Sequence, residues 1–500
     1  MDQSRRAVLR GLTGMGVAAA SVGTAGLSAA RPTADDSGGY RPFGTTAVEG
    51  SKEAVVGPDG TTVYVATTDG FAIVDVSDPM RPTLLAERRD LLADHEDGPI
   101  DLVQDVKIDG DQLLVVGPAH GGRDHLLRGA LLYDVSDPRD PQQLAVHETD
   151  FPIHNAFLKD GIAYLSGNNG ADNPLVIVDM VAEDEPGGTA EIGTWSPYDH
   201  GDRWREVPAR LRPLHDVWVQ GTTAFLVYWD AGTWLVDIAD PADPAFISRV
   251  GGRSLNALTA AEEQNRRQGV ELPGNHHYAA TDETGSLLAI GKEAWDIPDT
   301  EITGGPGGID LWDIGEPTQP ARLATIAPPP TDDPSFAGVW TTSHNFDLAG
   351  GRLYSSWYQG GVMLHDISKP TAPERLSWWR KPDEARFWTA QRARDCYIAS
   401  DMGARGSTTG GTLYTFPDTA GTQSDPPTLG EETATPTPTR SPRVTASPSP
   451  SPSPTPLSVT ETTGRSDDTD RTTTRGPGQP GFSWLGAALG VSGWLWWRRR

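Results

Sequence analysis

Five histidines fall where short β-type runs begin: His154, His215, the adjacent pair His276 and His277, and His344. Imidazole is the commonest metal ligand, and three or four converging on one point suit copper, zinc or iron. Cys396 is the single cysteine, so neither a thiolate zinc site nor a disulfide framework is available. No protease-type pairing of histidine with carboxylate occurs, and no glycine-rich phosphate loop precedes a helix. A plainer role also fits. A buried polar residue on an inner strand can hydrogen-bond its neighbour and hold strands together, because buried polar groups must find partners. Both readings stand at this level.

The elements that would position these residues repeat along the chain. The phrase Asp75-Val76-Ser77-Asp78-Pro79 returns as Asp134-Val135-Ser136-Asp137-Pro138, Asp237-Ile238-Ala239-Asp240-Pro241, Asp313-Ile314-Gly315-Glu316-Pro317 and Asp366-Ile367-Ser368-Lys369-Pro370. A copy at Leu175-Val176-Ile177-Val178-Asp179 lacks the proline turn. Each phrase joins two short β-branched runs, and a second pair of runs lies upstream, so the unit is four antiparallel strands. Repetition of such a unit predicts an all-β, seven-bladed β-propeller over residues 41–417. The seventh unit, from Phe387 to Phe416, lacks a fourth strand, while Phe43–Val48 is an orphan strand at the start. The orphan is expected to complete blade seven and close the ring.

Aligned first strands give a row of Lys52, Gln104, His154, His215, His276, His344 and Trp388. The next row holds Glu53, Asp105, Asn155, Asp216, His277, Asn345 and Thr389. First strands are innermost in a propeller, so both rows belong at one mouth of the central channel. The long connections at residues 90–100, 117–129, 196–213, 251–274, 291–308 and 328–342 open on that same face by antiparallel geometry. Among them lie His95, His120, His125 and His200, of which His120 and His125 are placed to reach the mouth. Trp229, Trp295, Trp357 and Tyr358 are candidates to wall it, and residues 255–267 read as a short helix. The six phrase aspartates are expected to cap their turns, and Cys396 to be buried and inert.

The strands Phe71-Ala72-Ile73-Val74-Asp75 and Leu175-Val176-Ile177-Val178-Asp179, with their Asp-Pro turns, resemble the LVIVD-repeat family. That resemblance implies a bacterial or archaeal surface propeller and carries no single activity. The His276-His277 pair and the ring of histidines look distantly like the copper-containing selenium-binding protein and methanethiol oxidase propellers. That likeness implies histidine ligands at the mouth, here His154, His215, His276 or His277, and His344.

The termini read as addresses. Arg5-Arg6 ahead of a small, weakly apolar run resembles a twin-arginine export signal over residues 1–30. Residues 422–479 are rich in Thr, Ser and Pro and read as a disordered stalk. Pro480-Gly481-Phe482, an apolar stretch and three arginines resemble a PGF-type archaeal sorting signal over residues 480–500, with an uncleaved membrane anchor as the alternative. Both place the protein outside the cell, tethered to the membrane by its C-terminus, after handling by export and sorting machinery. With 41 Lys plus Arg against 68 Asp plus Glu, the net charge of −27 excludes nucleic-acid binding. It fits a haloarchaeal, high-salt setting. The leading functional expectation is an interaction module for a cell-envelope component or extracellular ligand. The competing one is a metal-dependent oxidoreductase, with copper, zinc or iron as cofactor.

Overall fold

The structure, a computed structural model, describes residues 39–121, 127–182, 188–261, 270–297, 304–405 and 410–429. The export and sorting motifs, most of the expected stalk and His125 lie outside these residues. Seven sheets follow one another along the chain, each strand pairing with the next in antiparallel register. Counting strands outward from the axis, blade one is Ser51–Val56, Thr62–Thr67, Gly70–Asp75 and Thr83–Arg89. Blades two to six repeat that order, and their first strands begin at Asp105, Ala156, Asp216, His276 and Phe346. Blade seven takes Phe387–Arg392, Tyr397–Asp401 and Thr412–Phe416 from the C-terminal end, and Gly44–Ala47 supplies its fourth strand. The ring is thus closed as expected, with Gly44 opposite Thr415 and Ala47 opposite Thr412.

Local chemistry explains the regularity. Asp75, Asp134, Asp179, Asp237, Asp313 and Asp366 each accept a hydrogen bond from the backbone N–H two residues on, at 2.8–2.9 Å. These Asx turns reverse the chain between the third and fourth strands. Hairpins between first and second strands use left-handed pairs such as Asp160 (φ 53°) and Gly161 (φ 77°), the conformation a two-residue type I′ turn requires. In all six complete repeats the fourth strand slips register once against the third, for example at Ile73/Val74, Leu235/Val236 and Leu364/His365. Such bulges increase twist.

Second and third strands are buried on both faces, because each blade is sandwiched between two others. Tyr64, Phe71 and Ile73 pack with Leu113, Val115 and Leu131 of blade two, while Val63, Val65 and Val74 pack with Cys396, Ile398 and Leu413 of blade seven. Burial pushes the Cys396 thiol up to about 12, so it is inert packing. The chain does not leave the propeller at 417. Gly421–Thr422 adds a parallel fifth strand to blade six and Leu429 is buried against it, so residues 422–429, at the head of the expected stalk, lie on the domain. The expected helix at 255–267 is Leu255–Thr259, N-capped by Ser254, and residues 262–269 fall outside the description. No helix among the described residues is long and apolar enough to cross a membrane.

Candidate metal centre at the channel mouth

The innermost strands bring five side chains of the row into ring-to-ring contact. Trp388 lies 4.3 Å from His344, His344 lies 4.4 Å from His277, His277 lies 3.9 Å from His215, and His215 lies 4.3 Å from His154, between ring centroids. Lys52 closes the row with its ammonium 5.8 Å over Trp388, and Gln104 is buried between Lys52 and His154 in blade order. His120, from the long connection in blade two, leans on His154 at 5.0 Å.

Blade five corrects the alignment. His276 pairs with Lys292 but Tyr278 pairs with Gly291, so an extra residue is accommodated between them. His277, not His276, therefore joins the row, and Tyr278 takes the place expected for His277. His276 turns into the seam with blade four, where Nδ1 meets the Thr233 hydroxyl at 2.9 Å and Nε2 accepts from the Gly252 N–H at 3.2 Å. Both its nitrogens are satisfied and burial pushes its pKa down to about 3, so it is a neutral structural histidine.

The tautomers of His215, His344 and His154 are set by fixed acceptors. Nδ1 of His215 donates to the His277 carbonyl and Nδ1 of His344 to the Trp388 carbonyl, both at 2.7 Å, and His154 Nδ1 bonds Asn155 Oδ1. A carbonyl can only accept, so Nε2 of His215 and of His344 is left as a bare lone pair. Burial, reinforced by the neighbouring imidazoles, holds the pKa of His215 and His344 well below the usual range and that of His154 at about 3. Neutral imidazole is the metal-binding form.

Glu293, at the start of the long connection after the second strand of blade five, was not singled out in the sequence. Its Oε2 lies 3.1 Å from His277 Nδ1, and its Oε1 accepts from the Tyr358 hydroxyl at 2.5 Å. Burial favours the acid form, but His277 and His344 outweigh it and bring the carboxyl down to about 2. One ligand atom each from His277, Glu293 and His344 lies within 4.8 Å of the others. With Nδ1 of His277 facing Glu293, its Nε2 is left buried with no hydrogen-bond partner. Two imidazoles, an ionised carboxylate and an unsatisfied buried Nε2 suit a first-row divalent ion.

The second row joins the blades. Glu53 accepts from Asn345 at 2.5 Å and Thr389 at 2.6 Å, tying blades six and seven to blade one. Asn155 donates to Asp216 at 3.0 Å, and Asp105 accepts from the Ala156 N–H at 2.8 Å. Lys107 is the one ammonium among Glu53, Asp105 and Asp216, bonded to Asp105 and 3.9 Å from Glu53. Both rows thus share the structural role: His215 and His344 also tie their blades to the next through Nδ1, and what sets the first row apart is the Nε2 atoms left over. Trp295, Tyr358, Trp340 and Trp388 form a buried aromatic cluster beside His344, and Trp229 stacks 6.4 Å from His215. Trp357 instead packs between blades, with its indole N–H on Ser355. His365 is buried in a third strand, His95 pairs with Glu148 at 3.4 Å, and His200 stacks on Phe246, all outside the row.

Comparison with known proteins now fits the geometry. The profile of the LVIVD repeat matches residues 60–87 and 214–251, which lie in blades one and four. The molecule is a β-propeller carrying LVIVD repeats. The β-propeller domain of Cps50 (Swd1) from Myceliophteria thermophila aligns over 76% of this chain and 100% of its own, at 11% identity and a TM-score of 0.50. That likeness concerns the fold alone. The WD40 domain of Neurospora crassa Pan2 aligns over 80% of this chain and 100% of its own, at 8% identity and a TM-score of 0.46. Among curated proteins, none matches this sequence.

Proposed function

We propose that this LVIVD-repeat propeller is an exported metal protein that holds a transition-metal ion through His277, Glu293 and His344 and oxidises a small substrate at the channel mouth. The observation that carries the reading is the convergence of those three donors within 4.8 Å, around a buried His277 whose Nε2 has no hydrogen-bond partner. The carboxylate favours iron or zinc over copper(I), which prefers thiolate and thioether donors. Two imidazoles and a carboxylate with free positions form the donor set of non-haem iron oxygenases, which is why oxidation is the reaction class. When bound, the metal supplies one-electron or Lewis-acid chemistry at the positions the protein leaves open.

The chain's own residues do the rest. The Trp388 carbonyl fixes the His344 tautomer, and Tyr358 holds Glu293 in place. Trp295, Trp340 and Tyr358 exclude water. His215 and His154 extend the imidazole row away from the triad. Metal titration of the purified protein tests this. His277→Ala or His344→Ala is expected to abolish tight binding of iron(II) and zinc, and Tyr358→Phe to weaken it about tenfold or more. Unchanged affinity in both alanine variants would refute the site.

Export and tethering rest on Arg5-Arg6 and Pro480-Gly481-Phe482. Replacing both arginines with lysine is expected to retain the protein inside the cell, and normal surface delivery would count against the twin-arginine route. An interaction module, binding an envelope component or extracellular ligand, stays as the second reading because the long connections share one face. Such a module would keep its partner after chelation.

A further inference from the structure

After blade seven the chain turns back toward the site. Asp418 lies at the plain face, where Arg352 and the Tyr354 hydroxyl both donate to its carboxylate. Gly421–Thr422 then runs along the outer edge of blade six, parallel to its fourth strand, with Gly421 opposite Ser377 and Thr422 opposite Trp378. Fourth strands end at the mouth, so the tail is carried from the plain face to the built-up one. Gln423 extends the pairing through its side chain. Its amide oxygen accepts from the Arg380 N–H at 2.9 Å and its amide nitrogen donates to the Arg380 carbonyl at 3.0 Å. Arg380 Nε donates to the Pro427 carbonyl at 2.7 Å, with the guanidinium 3.8 Å over the Trp378 ring. Leu429 is buried, and its carbonyl accepts from the Asp332 N–H at 3.1 Å.

Two contacts of this tail lead on to the metal centre. Asp332 belongs to the connection at 328–342, whose Val339 packs on the buried cluster that includes Leu429, and whose Trp340 ring lies 5.2 Å from Tyr358. Trp378, opposite Thr422, donates its indole N–H to the Gly360 carbonyl at 2.7 Å. Gly360 in turn donates to the Trp340 carbonyl at 3.1 Å. The turn that holds Gly360 begins at Tyr358, whose φ of 48° is left-handed. A bulky residue keeps that conformation only where its surroundings over-determine it. Tyr358 donates to Glu293, so direct contacts run from the tail to the carboxylate of the triad.

We propose that residues 418–429 are a strap that holds the aromatic wall of the mouth, with Gln423 and Leu429 as positioning residues for Trp340 and Tyr358. The consequence for an ion rests on the metal reading, whereas the strap itself needs no metal. Full-length Gln423→Ala/Leu429→Ala protein is compared with the unaltered chain by amide hydrogen exchange in the absence of metal. Exchange is expected to quicken about tenfold or more in residues 332–342 and 357–361 and to stay as it is in blades two and three. Gln423→Ala alone, which leaves Leu429 in its cluster, should give the same pattern in smaller degree. Leu429→Met keeps the apolar contact and should exchange like the unaltered protein. Affinity for iron(II) or zinc should fall about tenfold in the double variant. Unchanged exchange in both segments, or faster exchange in every blade alike, would overturn the proposal. Intact metal affinity despite quickened exchange would overturn the positioning role. Quickening confined to the two segments, in a protein that takes up neither iron nor zinc, would remove the metal reading and leave the strap standing.

Discussion

At the scale of single residues, the channel separates two kinds of polarity that the chain writes side by side. His344 and Asn345 are neighbours, yet the imidazole joins the histidine row and donates to the Trp388 carbonyl, while the amide ties blade six to Glu53. The buried carboxylates of that second row can be tested by pH. Burial, against partial relief from Lys107, pushes Glu53 up to about 7, above its ordinary 4.5, and Asp105 and Asp216 shift in the same direction. A folded-state pKa above the unfolded value means that the fold prefers the protonated acid, so stability falls as pH rises from about 4.5 through 7. Glu53→Gln mimics the protonated form. Its unfolding free energy should match that of the unaltered protein at pH 5 and exceed it at pH 8, and parallel curves across that range would contradict the shift. The row of histidines was legible in the sequence because each opens a first strand. Blade five misled by one residue, since a register slip between His276 and Tyr278 leaves no mark in composition. Glu293 was not legible, because it meets His277 from a connection whose path only packing against other blades decides.

At the scale of elements, the Asp-Pro phrases were readable because each aspartate performs the same local task, capping a turn, whatever blade surrounds it. The orphan strand was readable by subtraction, since blade seven was one strand short. Its role goes beyond pairing: Tyr40, just ahead of it, bonds the Tyr397 hydroxyl and the Pro417 carbonyl at 2.9 Å, and its N–H reaches the Thr422 carbonyl at 2.8 Å. Both ends of the domain are therefore clasped together. Removing residues 43–48 exposes the edge of Thr412–Phe416 and deletes Val48, which is fully buried. The loss should be about 3 kcal/mol or more, in the range of the largest local defects. Denaturant unfolding checks it, and an unchanged midpoint would show that the ring closes without the strand. The fifth strand on blade six was missed because Gly421-Thr422 is too short and too polar to read as one.

At the scale of the whole molecule, seven similar blades give a rigid ring with one plain face and one built-up face. Only on the built-up face do the blades differ in chemistry. Imidazoles run from blade three to blade six, and the carboxylate of Glu293 enters at blade five. That departure from symmetry is what a site needs from a repeated scaffold: one stretch of the ring carries donors that the other blades lack. The claim on which this rests is that the histidine row holds an ion. Element-resolved mass spectrometry on the protein, purified from its native source without chelator, measures it directly. Near-stoichiometric iron or zinc that disappears in His344→Ala is the expected result, while protein that is folded and free of both metals would contradict it.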